Sequence, residues 1–242
     1  MSLSKNQLKL VTSLRQKKYR ISTNLFIVEG TKVINEFLNS NFELEQLFCV
    51  DNSAYEHIEK ITIISEIELK KLSVLKAPNN VLALFKIPSS KPLKKEGLIL
   101  ALDEINDPGN LGAIIRLCDW FGVDQLICST NTVDSYNSKV VQASMGSLIR
   151  VSIVYIDLAA YLQDVSLPKF GALMDGENVY KSVLPKNAIL VMGNEANGIS
   201  AEILKLLTNT VSIPRFGKIQ EIESLNVATA TGVLLSEFKR LT

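Results

Sequence analysis

The spacing of apolar positions divides the chain into an alternation of helices and strands. Ser4 to Arg20 carries Leu8, Val11 and Leu14 at helical intervals and predicts one helix. Leu25–Val28 reads as a strand, closed by Glu29-Gly30, and Thr31–Leu38 as a helix. Gln46–Val50 and Ile61–Ile64 are short strands. Ser65-Glu66-Ile67-Glu68 has the form of a capping box, so Glu66–Ser73 is predicted helical. Val81–Ile87 is a further strand. The run Pro88-Ser89-Ser90-Lys91-Pro92-Leu93-Lys94-Lys95-Glu96-Gly97 is rich in breakers and lysine, and reads as a linker. These features predict a basic helix over 1–21, a small α/β domain over 22–88, a linker over 89–97 and a second domain over 98–242.

The second half begins with Leu98–Leu102, a continuous apolar run of the kind buried on both faces of a parallel sheet. Helices are predicted over Asn110–Phe121, Asn137–Ser147, Leu158–Val165 and Ala201–Leu207. Strands are predicted over Gln125–Cys128, Val151–Tyr155, Lys169–Met174, Ala188–Met192 and Val211–Ile213. The chain ends in a helix over Val227–Lys239, with Ser224 as its expected N-cap. Its small residues, Ala228, Thr229, Ala230, Thr231 and Gly232, predict that other backbone approaches closely and that the helix is enclosed. Repeated β-α alternation implies an α/β fold with a parallel sheet and helices on both faces.

Composition narrows the function classes. Hydrophobic residues make up 47% and charged residues 21% of the 242, as in ordinary globular proteins. No apolar run approaches membrane-spanning length, and MSLSKNQLKL lacks the apolar core of a signal peptide, so a cytoplasmic location is expected. Cys49, Cys118 and Cys128 form no C-x-x-C pair and are expected to be reduced thiols, with no metal site. The single histidine, His57, lies in an unexceptional segment and is expected at the surface. Charge is uneven. Residues 1–97 carry 15 basic and 10 acidic residues, and residues 98–242 carry 11 and 15. Lys5, Lys9, Arg15, Lys17, Lys18 and Arg20 have no acidic neighbour among the first twenty residues, which points to a polyanionic partner or to a solvated basic helix.

Three polar segments follow predicted strands, where ligands of parallel sheets gather. The first runs from Asp103 to Arg116 through Asp107-Pro108-Gly109-Asn110. Asn110 is placed at or near the cap of the next helix, whose N-terminus favours an anion. The plain alternative is an Asx-Pro-Gly turn with Arg116 in a surface ion pair. The second is Met192-Gly193-Asn194-Glu195-Ala196-Asn197-Gly198-Ile199, where Gly193 allows close backbone approach. The third runs from Ile213-Pro214 to Ser224-Leu225-Asn226. Neither a G-x-G-x-x-G nor a G-x-x-x-x-G-K-[ST] fingerprint is present, which counts against a nicotinamide or nucleotide enzyme.

Taken together, Asn110-Leu111-Gly112 with Arg116, Gly193-Asn194-Glu195 with Gly198, and Ile213-Pro214 with Ser224-Leu225-Asn226 resemble the SpoU/TrmH branch of the SPOUT RNA methyltransferases over residues 98–242. Phe26-Ile27-Val28-Glu29-Gly30 and the residues after it resemble an L30e-like substrate-binding domain. The resemblance implies a parallel-sheet domain with a deep trefoil knot, and transfer of a methyl group from S-adenosylmethionine to a ribose 2′-oxygen of structured RNA, ribosomal or transfer. It implies a homodimer, with no membrane and no metal. It assigns cofactor binding to Leu173, Met192, Gly193, Ile213 and Leu225, and the active site to Asn110, Arg116, Glu195, Ser224 and Asn226. Arg116 is expected to act electrostatically, because a guanidinium seldom gives up its proton. The basic residues at the N-terminus are expected to hold RNA with an affinity that falls steeply with salt. The loop between Pro214 and Ser224 is longer than the family pattern, which leaves the roles of Arg215, Phe216 and Lys218 open. A non-catalytic RNA-binding protein on the same fold is the alternative.

Overall fold

The computed structural model describes residues 3–217, 219 and 224–240. Lys218 and residues 220–223, part of the long loop, lie outside the described residues. The chain divides into two compact units, residues 1–89 with 134–149, and residues 90–133 with 150–242.

The first unit opens with α1 (Lys5–Ser13) and α2 (Lys17–Thr23), two helices where one was expected. Thr12 and Ser13 turn their hydroxyls onto the carbonyls of Leu8 and Leu10, and the Leu14 carbonyl accepts from the Arg20 guanidinium. Such side-chain competition ends the helix where the pattern alone would continue it. Then come β1 (Leu25–Glu29), α3 (Thr31–Leu38), β2 (Leu44–Cys49), β3 (Ile61–Ile63), α4 (Glu66–Leu72) and β4 (Val81–Lys86). The capping box at Ser65 and Glu68 is present, and the four strands pair in the order β1-β4-β2-β3. Val11 and Leu14 are buried in one core with Phe48, Leu69 and Leu72. The basic N-terminal segment is therefore packed onto this sheet and is not a free arm.

The second unit carries β5 (Leu98–Leu102), α5 (Pro108–Trp120) and β6 (Gln125–Ser129). The chain next forms α6 (Ser138–Ser144), within the segment that belongs to the first unit. It continues with β7 (Ile153–Ile156), α7 (Leu158–Asp164), β8 (Lys169–Asn178), β9 (Ala188–Met192), α8 (Ala201–Leu204), β10 (Asn209–Ser212) and α9 (Val227–Lys239). The six strands are all parallel, in the order β10-β8-β9-β5-β6-β7. Every residue of β5, β6 and β9 is buried, as continuous apolar runs demand when both faces are covered. The β8–β10 pairing shifts register between Thr210 and Val211. Gly176 permits this approach, since a Cβ there would stand 2.6 Å from the Val211 backbone. Helix α9 buries Val227, Ala228, Thr231, Leu234, Leu235 and Phe238, while Thr229 and Ser236 stay exposed, so it is covered on one side rather than enclosed.

Asp134–Ile149, which the sequence reading assigned to the second domain, completes the first unit. Tyr136 brings its ring to 4.7 Å from Phe26, whose neighbours include Phe37, Phe42 and Phe85. Asp134 accepts from Arg20 Nε at 2.8 Å, and Arg20 is only 2% exposed. No helix of the described residues is long and apolar enough to cross a membrane.

Two outcomes follow from this packing. Arg20→Ala leaves the Asp134 carboxylate without its partner, and urea unfolding is expected to show a loss of about 3–5 kcal/mol. A loss below about 1 kcal/mol would show the pair to be surface-like. All three cysteines are free and buried. Burial pushes the Cys128 thiol up to about 12 and raises those of Cys49 and Cys118. Their reactive thiolates are thus scarce at neutral pH, so iodoacetamide at pH 8 is expected to label none in the native protein and all three in denaturant.

Candidate active site

The site is built at the carboxyl ends of β5, β9 and β10. After β5, the Asp103 carboxylate accepts from the Ser200 amide at 2.8 Å, and Glu104 takes a left-handed backbone with φ +58°. Asn194 Nδ2 donates to the Glu104 carbonyl at 2.7 Å and holds this unusual turn in place. Helix α5 then begins earlier than the sequence suggested. Asp107 is its N-cap and Pro108 its first residue, with the Asp107 carboxylate accepting from the Asn110 amide at 2.7 Å. Proline suits that position because its fixed φ is helical and its missing donor would be unpaired anyway. Asn110, expected as the cap, sits one turn in and keeps its side chain free for other partners.

After β9, the chain doubles back in a tight loop closed by two backbone hydrogen bonds between Asn194 and Gly198, each 2.9 Å. The Asn194 side chain also accepts from the amides of Ala196 and Asn197. Gly193 is obligatory, for a Cβ there would lie 2.2 Å from the Gly198 carbonyl carbon. The loop presents Glu195 at its exposed tip. After β10, the N-cap of α9 is Asn226, not Ser224. Asn226 Oδ1 accepts from the amides of Ala228 and Thr229 at 3.0 and 3.3 Å. Tertiary position decides between two good capping residues spaced two apart.

These ends meet side chain to side chain. Asn226 Nδ2 donates to Asn110 Oδ1 at 2.9 Å, and Asn110 Nδ2 donates to Glu195 Oε1 at 2.7 Å. The three residues come from the three separated loops. Beside them opens a cavity of about 780 Å³, within the range of small-molecule sites. Leu173, Met192, Gly193, Ile213 and Leu225 all line it, as do Glu195, Ser224 and Asn226. Arg116 does not. It is exposed on α5, almost two turns beyond Asn110, and pairs with no described residue. The alternative of a surface ion pair therefore does not hold among the described residues.

The basic residues of the first unit part company. Lys5, Lys9, Lys17 and Lys18 are exposed. Arg15 is exposed but donates to the carbonyls of Lys71, Leu72 and Ser73 at the end of α4. Arg20 is buried against Asp134 and Leu14, which removes it as an RNA ligand. His57 is exposed. Among the described residues no group of histidine, cysteine, aspartate and glutamate could hold a metal. Sequence reasoning missed Asp107 and Asn194 as organisers of the site. The signal for Asn194 was its place between the glycine that tolerates crowding and the carboxylate that the loop displays.

Residues 97–236 match the SpoU rRNA methylase family, and residues 5–83 match the MRM3-like substrate binding domain. The 23S rRNA (guanosine(2553)-2′-O)-methyltransferase RlmP of Bacillus subtilis is 28% identical, over 92% of this chain and 91% of its own length. A TrmH-family protein from Porphyromonas gingivalis has a TM-score of 0.90 at 36% identity, over 99% of both chains. An AdoMet-bound rRNA methyltransferase from Sinorhizobium meliloti has a TM-score of 0.88 at 25% identity, over 100% of this chain and 98% of that one. With three separated loops, one cavity and a family match over more than half its length, the chain belongs to the SpoU rRNA methylase family.

Proposed function

We propose that this protein is an S-adenosylmethionine-dependent methyltransferase acting on a ribose 2′-hydroxyl of ribosomal RNA. The observation that carries the reading is the Asn226–Asn110–Glu195 relay at the rim of the cavity. A protein kept only for binding RNA has no need of a three-loop polar relay beside a 780 Å³ pocket. Ribosomal RNA is favoured over transfer RNA because the Bacillus subtilis and Sinorhizobium meliloti relatives are named for it.

The residues present fit the cofactor. Leu173, Met192, Ile213 and Leu225 offer an apolar enclosure for a planar base, and the crowded turn at Gly193 exposes main-chain groups at its edge. When bound, the cofactor supplies an electrophilic methyl group. Asn110 and Asn226 orient the ribose, and Glu195 holds Asn110 in one orientation. Such positioning is worth several kcal/mol. Ser224 lies on the cavity wall, where it can meet the sugar. A trefoil knot in the second unit belongs to the same reading, supported by the likeness to the TrmH-family structure. So do a cytoplasmic location and RNA contact by Lys5, Lys9, Lys17 and Lys18.

A homodimer completes the reading. Arg116 stands clear of its own cavity, and Trp120, one turn further along α5, is 84% exposed. An aromatic ring left in water beside an unpaired cation suits a face that a second copy covers. Across such a face Arg116 serves the partner's site, binding phosphate or stabilising developing alkoxide charge.

Two experiments test these statements. The first measures methyl transfer from labelled AdoMet to total RNA from cells lacking the gene. Asn226→Asp keeps a capping acceptor but has no donor for Asn110. Its melting temperature is expected to stay near wild type while transfer falls about tenfold or more. Asn226→Ala also loses the cap, which costs about 1 kcal/mol of stability. Full activity in the Asp variant would remove the relay from the mechanism, and no transfer by wild type would favour the RNA binder. The second experiment is sedimentation. The wild type is expected to be a dimer, and Trp120→Glu a monomer with an unchanged fold by circular dichroism. A monomeric wild type would sink the shared site.

A further inference from the structure

We propose that Tyr180 and Phe216 form a clamp that takes the base of the target nucleotide between their rings, next to the methyl-transfer cavity. The inference rests on the reading of that cavity as a ribose methylation site. Phe216 lines the cavity yet is 82% exposed, and Tyr180 is 42% exposed. A ring so little covered does not close a pocket. Its faces remain open to a ligand.

Tyr180 stands on anchored backbone, and Phe216 follows the end of the neighbouring strand. Asn178 ends β8, and its carboxamide oxygen accepts from the Tyr180 amide at 3.0 Å. Val179 between them is fully buried, and its amide donates to the Ser212 carbonyl at 3.0 Å. Ser212 ends β10, opposite Asn178 in register, and Phe216 follows four residues later. Two adjacent parallel strands therefore carry one ring each. The ring centroids lie 6.3 Å apart at 34°. A base held between two parallel rings needs about 7 Å, twice the ~3.4 Å stacking rise. A small rotation of two exposed side chains opens the slot that far.

The chemistry gives the slot a purpose. A ribose can present its 2′-hydroxyl to a recessed site only if its nucleotide leaves the helical stack. The lost stacking costs a few kcal/mol, and enzymes that extrude bases restore it with aromatic side chains. The cofactor's adenine does not need these rings, because Leu173, Met192, Ile213 and Leu225 already enclose the inner cavity.

The test compares Phe216→Ala, Tyr180→Ala, Phe216→Leu and Phe216→Trp with wild type. Three quantities are read, with melting temperature as a check on folding. They are kcat/KM for methylation of total RNA from cells lacking the gene, AdoMet Kd by calorimetry, and quenching of the introduced indole over the Trp120 background. One lost base stack predicts a fall of about 5- to 150-fold in kcat/KM for either alanine variant, with AdoMet Kd unchanged. Phe216→Trp is expected to retain activity and to be quenched by that RNA but not by AdoMet. Phe216→Leu, which keeps apolar area without an aromatic face, is expected to behave as alanine does. AdoMet Kd weakening in step with kcat/KM would assign the rings to the cofactor and overturn the clamp. So would a leucine variant equal to wild type, or an indole untouched by RNA. If wild type transfers no methyl to any RNA, the reaction class fails instead, and quenching by RNA still decides the clamp.

Discussion

The N-terminus of α9 fixes the polarity of the whole site. Its first amides only donate, so Asn226 must turn its oxygen toward them. The remaining NH₂ then points outward and can be met only by an acceptor. Asn110 supplies its oxygen, which leaves its own NH₂ to find an acceptor in turn. Glu195 offers a carboxylate oxygen as acceptor, so it terminates the chain. An amide can ordinarily flip with little penalty. Here a helix end fixes one terminus and a carboxylate fixes the other, so neither asparagine has a second orientation. The relay is thus a consequence of ordinary helix capping, extended across two loops by side chains with no freedom left.

The cavity beside it depends on a different constraint, the closeness of main chain to main chain. Gly193 lies against Gly198 and Ile199, and Gly176 lies against Val211, at separations no Cβ tolerates. Gly232 of α9 is not crowded in this way, since a Cβ there would meet the Leu117 side chain of α5 at an ordinary 3.4 Å. Where backbones crowd, as at Gly193, side chains cannot fill the space, and peptide groups form that part of the wall beside the apolar side chains. Such a wall is rigid and loses little entropy when a ligand binds, because it has few rotamers to freeze. The cavity's shape is therefore set by strand register, and the β8–β10 shift between Thr210 and Val211 is part of that shape.

How much of this the sequence disclosed depended on whether the deciding partner was local. Strands β5, β6 and β9 were legible because five consecutive apolar residues leave no polar face. The Ser65–Glu68 capping box was legible because both partners lie within four residues. The caps of α5 and α9 were misplaced by two or three residues. Asp107, Asn110, Ser224 and Asn226 are all residue types that cap, and residue type alone does not separate them. Arg20 was read as one more positive charge, because counting charges cannot reveal that Asp134, more than a hundred residues away, buries it. The convergence of Asn110, Glu195 and Asn226 could be expected from the family resemblance, but not from periodicity.

The placement of cations has an electrostatic reason under the proposed chemistry. The cofactor's sulfonium is positive, and like charges repel most strongly where water is excluded. Among the described residues the one guanidinium that lines the cavity, that of Arg215, is engaged with a partner of its own, and a free one there would weaken cofactor binding before any RNA arrived. The negative charge that needs a cation, on phosphate and on the developing alkoxide, enters only with the substrate. A cation serving that charge is best mounted outside the pocket and brought to its mouth from another surface. Arg116 on the open face of α5, exposed and unpaired among the described residues, meets that requirement. Under the proposed chemistry, the separation of Arg116 from its own cavity leaves its charge available to substrate at a partner's site.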